Sequence, residues 1–197
     1  KENSDRIIIN NNLNKSRVLD FSVKNYFASA RASFFHNSIG GYSAAKLKRY
    51  QELYDICIAP TKDTLIDGEK KTLLVPAPNK IKVLRMLNCG WVIINKKEAS
   101  PSGINPLGNA WFVSEVKVVE NANQEIESFD TLEPEVAAVV DKRFSDQIAD
   151  LSFSIDSARI TLDQDKYKPN HLIYNLTNIT SKQLAVFSEI YYEKGWN

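Results

Sequence analysis

The stretch RASFFHNSIGGYSAAKLKRYQELYD, residues 31–55, is the segment around which this chain is organised. It holds the only Gly-Gly pair, Gly40-Gly41, and His36, one of two histidines. Glycine tolerates positive φ and close backbone approach, so Ile39 to Ser43 reads as a turn feeding a helix. Ser43 is the expected N-cap, with the good helix formers Ala44 and Ala45 behind it. Leu47, Tyr50, Leu53, Tyr54 and Cys57 recur at spacings of three and four, which predicts one apolar face. Lys46, Lys48 and Arg49 come before Glu52 and Asp55, an order opposed to the helix dipole. Lys48 and Glu52 also pair in the weaker orientation. A local conflict of this kind has two readings. One is a solvated charged face; the other is an anion or sugar-phosphate site made by the glycine turn and the bases at the helix start. His36 reads first as a capping or packing residue, since one histidine without partners makes no metal site.

Working outward, residues 1–16 are polar and asparagine-rich and read as a frayed lead-in, with Ile7 to Ile9 a short strand. Arg17 to Phe21 is a strand by alternation, and a loop or short helix runs on to Asn37. Residues 58–80 carry Pro60, Asp67-Gly68, Pro76 and Pro78, so loop chemistry dominates. Residues 81–88, IKVLRMLN, read as a short buried helix, Trp91 to Ile94 as a buried strand, and 95–109 as a polar loop. Ala110 to Val119 is the clearest strand. Asn121 to Leu132 reads as a short acidic helix, with Ile126 and Phe129 inward, that stops before Pro134. Val136 to Val140 is an apolar strand, and 141–149 hold a turn or one helical turn. From Leu151 the period becomes two: Phe153 and Ile155, then Ala158, Ile160 and Leu162, then His171 to Thr177 and Leu184 to Tyr191. The short breaks predict antiparallel pairing. The fold class expected is α+β, with a mixed N-terminal part containing short helices and a β-rich antiparallel C-terminal part. The two lobes, 17–135 and 136–197, are expected to pack as a single domain over 1–197.

The chain has 197 residues, 25 bases and 24 acids, for a net charge of +1. That near balance argues against nucleic acid as a partner. No apolar run approaches the ~20 residues of a membrane helix, and KENSDRIIINNNLN has no signal-peptide pattern. The chain therefore reads either as cytoplasmic or as a piece excised from a longer protein. Two cysteines, Cys57 and Cys89, are too few for a disulfide scaffold. A bridge between them stays open, with Cys89 better read as a buried thiol. No P-loop, dinucleotide fingerprint, nucleophile elbow or zinc-protease motif occurs, so no catalytic residue, cofactor or metal is expected. Glu52, Asp55, Glu115, Asp141 and Glu189 could pair in space for glycoside hydrolysis. Trp91 and Trp111 lie in apolar strands and read as core, although they, Trp196 and the tyrosines could also form a sugar-stacking platform. The sequons at Asn14, Asn175 and Asn178 matter only in a eukaryotic secretory setting.

Six ordered segments carry a further signal: SFFHNSIGGYSAAKLKRYQEL at 33–53, LRMLN at 84–88 followed by WVII, and NPLGNAWFV at 105–113. The others are AAVVDKRF at 137–144, YKPNHLIY at 167–174 and LAVFSEIYYEKGW at 184–196. Together they resemble the large extracytoplasmic C-terminal region of YfhO-type bacterial membrane proteins of Bacteroides-like bacteria, over nearly the whole chain from Arg17 to Trp196. The resemblance implies a polytopic membrane protein related to the GT-C glycosyltransferases, which use lipid-linked sugars at the outer face of the cytoplasmic membrane in cell-envelope glycosylation. It places the catalytic acid in an early loop between membrane helices, outside this sequence. It also implies that the family pattern continues past Trp196 into further strands and a last membrane helix. The domain would then be extracytoplasmic (periplasmic) and not an enzyme alone. Its partners would be the membrane-embedded part of the same chain and a glycan or lipid-linked sugar. By position, the resemblance marks Gly40, Gly41, Tyr42, Lys46, Arg49 and Tyr50, which with His36 are the binding candidates. The role expected of them is recognition, with bases on phosphate and Tyr42 or Tyr50 stacked on a sugar. The alternatives are a free-standing periplasmic glycan-binding module and a soluble carboxylate-dependent glycoside hydrolase.

Overall fold

A computed structural model describes residues 1–61, 81–148, 157–192 and 194–196. The class is α+β with a β-rich C-terminal part, as expected. The chain divides into two compact units, residues 1–108 with 189–197 and residues 109–188.

Unit 1 opens with helix α1 (Asn3–Asn11), where a frayed lead-in and a strand at Ile7 to Ile9 were expected. The reason is at its start. Glu2 and Asp5 form a reciprocal capping box, so orphan amides of the first turn are satisfied. Ile8 is then 1% exposed and joins Val18 and Ile93 in a core cluster, with Trp91 and Ala99 packed against it. Strand β1 (Arg17–Asp20) falls where alternation placed it. Helix α2 (Ala30–Phe35) is N-capped by Ser29, whose hydroxyl accepts from the Arg31 amide. Helix α3 (Lys48–Leu53) runs into a π-helical turn, Tyr54–Ile58, and a 3-10 turn, Ala59–Thr61. Its N-cap is Leu47, not Ser43. The Ser43 hydroxyl instead accepts from the Ala45 amide within a loop. Helix α4 (Lys82–Met86) and strand β2 (Cys89–Ile93) follow the sequence reading. Strand β3 (Ala99–Pro101) lies inside the segment read as a polar loop. The sheet order is β1-β2-β3, parallel between β1 and β2 and antiparallel between β2 and β3. The loop reading of Asp67-Gly68, Pro76 and Pro78 lies outside the described residues.

In unit 2 the single strand expected over 110–119 is two. Strand β4 (Ala110–Val113) pairs antiparallel with β9 (Leu184–Phe187), and β5 (Glu115–Val119) pairs parallel with β6 (Ala137–Asp141). The break is Ser114, whose amide donates to the Val136 carbonyl. Helix α5 (Ala122–Glu127) lies in the connection from β5 to β6 that a parallel pair requires. Its N-cap Asn121 accepts from the amides of Asn123 and Gln124. Strands β7 (Arg159–Leu162) and β8 (Tyr174–Thr177) pair antiparallel, with Leu162 opposite Tyr174. The alternation read at Phe153 and Ile155 lies outside the described residues. Trp91 and Trp111 are half-buried, and the Trp111 indole donates to the Pro134 carbonyl at 2.7 Å. Among the described residues no helix is long and apolar enough to cross a membrane.

Candidate functional site

The glycine stretch is a strap over one residue, Phe27. After α2 the backbone of His36 closes the helix through its amide on the Ala32 carbonyl. Ser38 forms a parallel bridge with Val18, and Ile39, 1% exposed, donates to the Val18 carbonyl. Gly40 then passes so close that an added Cβ would stand 2.5 Å from the Tyr26 carbonyl oxygen and 2.8 Å from the Phe27 Cα. Gly41 has φ +150°, and its amide donates to the Phe27 carbonyl at 2.9 Å. These are the two tasks for which only glycine serves, close approach and positive φ.

The strap is held down by two side chains from the binding candidates. Lys46 Nζ donates to the same Phe27 carbonyl at 2.9 Å and stands 3.6 Å from the centroid of the Phe27 ring. Tyr50 donates its hydroxyl to the Ile39 carbonyl at 2.7 Å. Phe27 is also stacked on Tyr54, with centroids 3.6 Å apart and planes 8° from parallel. Burial pushes the Lys46 ammonium below its ordinary value. Burial also pushes the Tyr50 phenol up to about 12, against the opposing charge of Arg17 and with the Cys89 thiol adding to the rise. Lys46 and Tyr50, two of the groups expected to meet phosphate and sugar, are thus engaged with the fold. Tyr42, by contrast, is 72% exposed, and Arg49 lies on the exposed part of α3. Lys48 and Glu52 pair at 3.5 Å on the solvent side.

His36 belongs to a second arrangement. Its Nε2 lies 3.0 Å from Asp5 Oδ1. The other oxygen of Asp5 accepts from Arg31 Nη2 at 3.1 Å and from the Glu2 amide at 2.8 Å. Arg31 Nη1 reaches Asp20 Oδ2 at 2.7 Å, and Asp20 Oδ1 accepts from the Ser22 amide and hydroxyl. Asp5 and Asp20 have 0% and 1% side-chain exposure. Burial pushes the Asp5 carboxyl up. The His36 hydrogen bond, the Glu2 amide and the nearby charges of Arg31 and His36 outweigh it and hold the group below its ordinary value. The cluster ties α1 to α2, to β1 and to the start of the strap. Asp5, Asp20 and Arg31 were not read as partners from sequence. The available signal was Glu2-x-x-Asp5 ahead of Ile7-Ile8-Ile9, a helix-start pattern.

The other carboxylates are distributed as follows. Glu189 pairs with Arg17 at 2.8 Å, and Asp55 accepts from Gln51. Asp141 caps the 3-10 segment Lys142–Gln147, and Glu115 begins β5. Cys57 and Cys89 are not joined in a disulfide, and the first is half-buried and the second buried. Among the described residues no group of three or more His, Cys, Asp and Glu side chains could hold a metal ion. No protein-family model, curated protein or solved structure matches the chain.

Proposed function

We propose that the chain is an extracytoplasmic domain of a YfhO-like polytopic membrane protein. It serves acceptor or sugar-phosphate recognition in cell-envelope glycosylation and is not catalytic on its own. The reading starts from the six ordered segments given above. The observation that carries it is the strap. Within segment 33–53, the longest of the six, Gly40, Lys46 and Tyr50 each have a defined task in seating the backbone on Phe27. That segment is built as a framework that presents Tyr42 outward, 72% exposed. An exposed tyrosine on a braced loop offers a flat, amphipathic ring for a sugar face. Nothing in the framework calls for proton transfer at Lys46 or Tyr50, whose polar atoms are already bonded to backbone carbonyls.

The test is the hydropathy of the full-length reading frame. The proposal predicts many apolar spans of about 20 residues before Lys1 and one after Asn197. A reading frame without such spans would sink it.

A further inference from the structure

Strands β5 and β6 form a parallel pair with no third strand among the described residues. Parallel strands are ordinarily enclosed in larger, covered sheets. The direction of the open edge of β5 follows from one hydrogen bond. The Glu115 amide donates to the Val136 carbonyl at 3.0 Å, and Glu115 lies opposite Ala137. Backbone groups alternate in direction along a strand. Glu115, Lys117 and Val119 therefore turn theirs toward β6, while Val116 and Val118 turn theirs away from it. Among the described residues no hydrogen bond reaches the outward amides and carbonyls of Val116 and Val118.

The side chains of this edge carry charge in a particular order. Glu115 and Lys117 are both exposed and share one face of the strand. Neither has an ion-pair partner among the described residues. On the other face, Val116 is half-buried and Val118 is 46% exposed. One short strand thus holds an acid, a base two residues on, and an uncovered valine, all beside unpaired backbone.

We propose that β5 pairs antiparallel with β5 of a second copy of this chain, about a two-fold axis at Val116, to give a sheet in the order β6-β5-β5-β6. Two identical strands related by a two-fold axis in one sheet run antiparallel, and outward groups must meet outward groups, so the axis falls on a residue. Charge selects which one. An axis at Glu115 or Lys117 sets like charges directly opposite one another, which is destabilising. An axis at Val118 or Val119 leaves Glu115 and Lys117 opposite uncharged residues of the 119–123 stretch. The axis at Val116 sets Glu115 opposite the partner's Lys117 and Lys117 opposite the partner's Glu115, so both charges of each copy are matched. It also groups Val116 and Val118 of the two copies on the other face, which covers Val118. The same strand carries both halves of the complement, which is why the partner is a second copy rather than another protein. Such a contact is isologous and closes at two copies. The inference is independent of the glycan-recognition reading above.

The experiment is sedimentation velocity of the chain from about 10 μM to about 1 mM. The expected result is a monomer–dimer equilibrium within that range. The variant K117E puts acids in all four facing positions and should weaken the dimer about tenfold; E115K puts bases there and should do the same. The double variant E115K/K117E exchanges the members of each pair and should recover dimerisation at the wild-type level. Both positions are exposed, and a far-UV circular dichroism spectrum matching wild type shows that each variant is folded. Should one single variant fail to fold, the other carries the same comparison. A wild-type chain that stays monomeric throughout would overturn the proposal. So would a dimer that the single variants leave unchanged, or a loss that the double variant does not recover, because the facing charges would then not set the contact.

Discussion

The Lys46 ammonium and the Phe27 peptide meet twice: Nζ donates to the Phe27 carbonyl at 2.9 Å and covers the Phe27 ring at 3.6 Å from its centroid. One carbonyl therefore receives two donors, Lys46 Nζ and the Gly41 amide. This is the joint on which the strap from His36 to Tyr50 closes. Lys46→Met keeps much of the stem and removes both polar contacts. It should cost about 1–2 kcal/mol, one hydrogen bond to a charged group plus a partly desolvated cation-π contact. Urea denaturation with the wild-type slope and a lower midpoint is the expected result.

Gly40→Ala should cost more than an ordinary surface change. The new methyl would meet backbone at Tyr26 and Phe27, and neither can move aside as a flexible side chain would. Overpacking of this kind costs about 1–3 kcal/mol. The thermal midpoint of the variant measures it, and a midpoint equal to wild type would show that the strap does not press on Phe27.

The buried cluster sets the response to acid. An unfolded Asp5 titrates near its ordinary 3.8, and the folded group titrates lower. A carboxyl lowered on folding contributes its stability in full above the ordinary value and loses it as pH falls through the folded one. The urea midpoint should therefore hold steady from neutral pH down to about 4 and fall below it. Asp5→Asn should remove that part of the fall. It should also cost about 1–3 kcal/mol at neutral pH, because the variant weakens the hydrogen bonds that His36, Arg31 and the Glu2 amide make to a charged carboxylate, while Arg31 keeps Asp20.

The alkaline side has a different pair. Cys89 has an ordinary value of 9.0 and Tyr50 of 10.0, and burial pushes each to about 12. An acid raised on folding contributes fully below its ordinary value and loses that contribution as pH rises toward the folded one. Stability should thus decline between the ordinary values and about 12, and Tyr50→Phe should lessen the decline. A thiol reagent at mild alkaline pH should modify half-buried Cys57 in the folded chain and Cys89 only after unfolding.

What could be read from sequence depended on the range of the contacts that decide each element. Strands β1 and β2 and helix α4 were legible because their apolar periodicity is local. Helix α1 was not. Three consecutive isoleucines read as a strand, yet only Ile8 is fully buried and Ile9 is 45% exposed. What settles that helix is its capping box and the partners of Asp5 at separations of 26 and 31 residues. The split at Ser114 likewise comes from two partners, β9 and β6, that no window over 110–119 contains. Strand β3 was hidden because a three-residue edge strand in a polar segment is set by its register with β2. In the candidate site the glycines and aromatics were legible as a special stretch. The direction each side chain takes was not, because it depends on Phe27, outside that stretch. Ser43 was misread as a cap for the same reason: Lys46 and Leu47 are drawn to Phe27 and to α3, and the helix begins five residues later at Lys48.

The central claim is a division of labour in the strap: Lys46 serves the fold while Tyr42 faces outward. It is tested most directly by urea midpoints of Lys46→Met and Tyr42→Ser measured side by side with wild type. The expected result is a clear drop for Lys46→Met and a midpoint for Tyr42→Ser within about 0.5 kcal/mol of wild type, as for any exposed position. An unchanged midpoint for Lys46→Met, or an equal loss from Tyr42→Ser, would contradict the account.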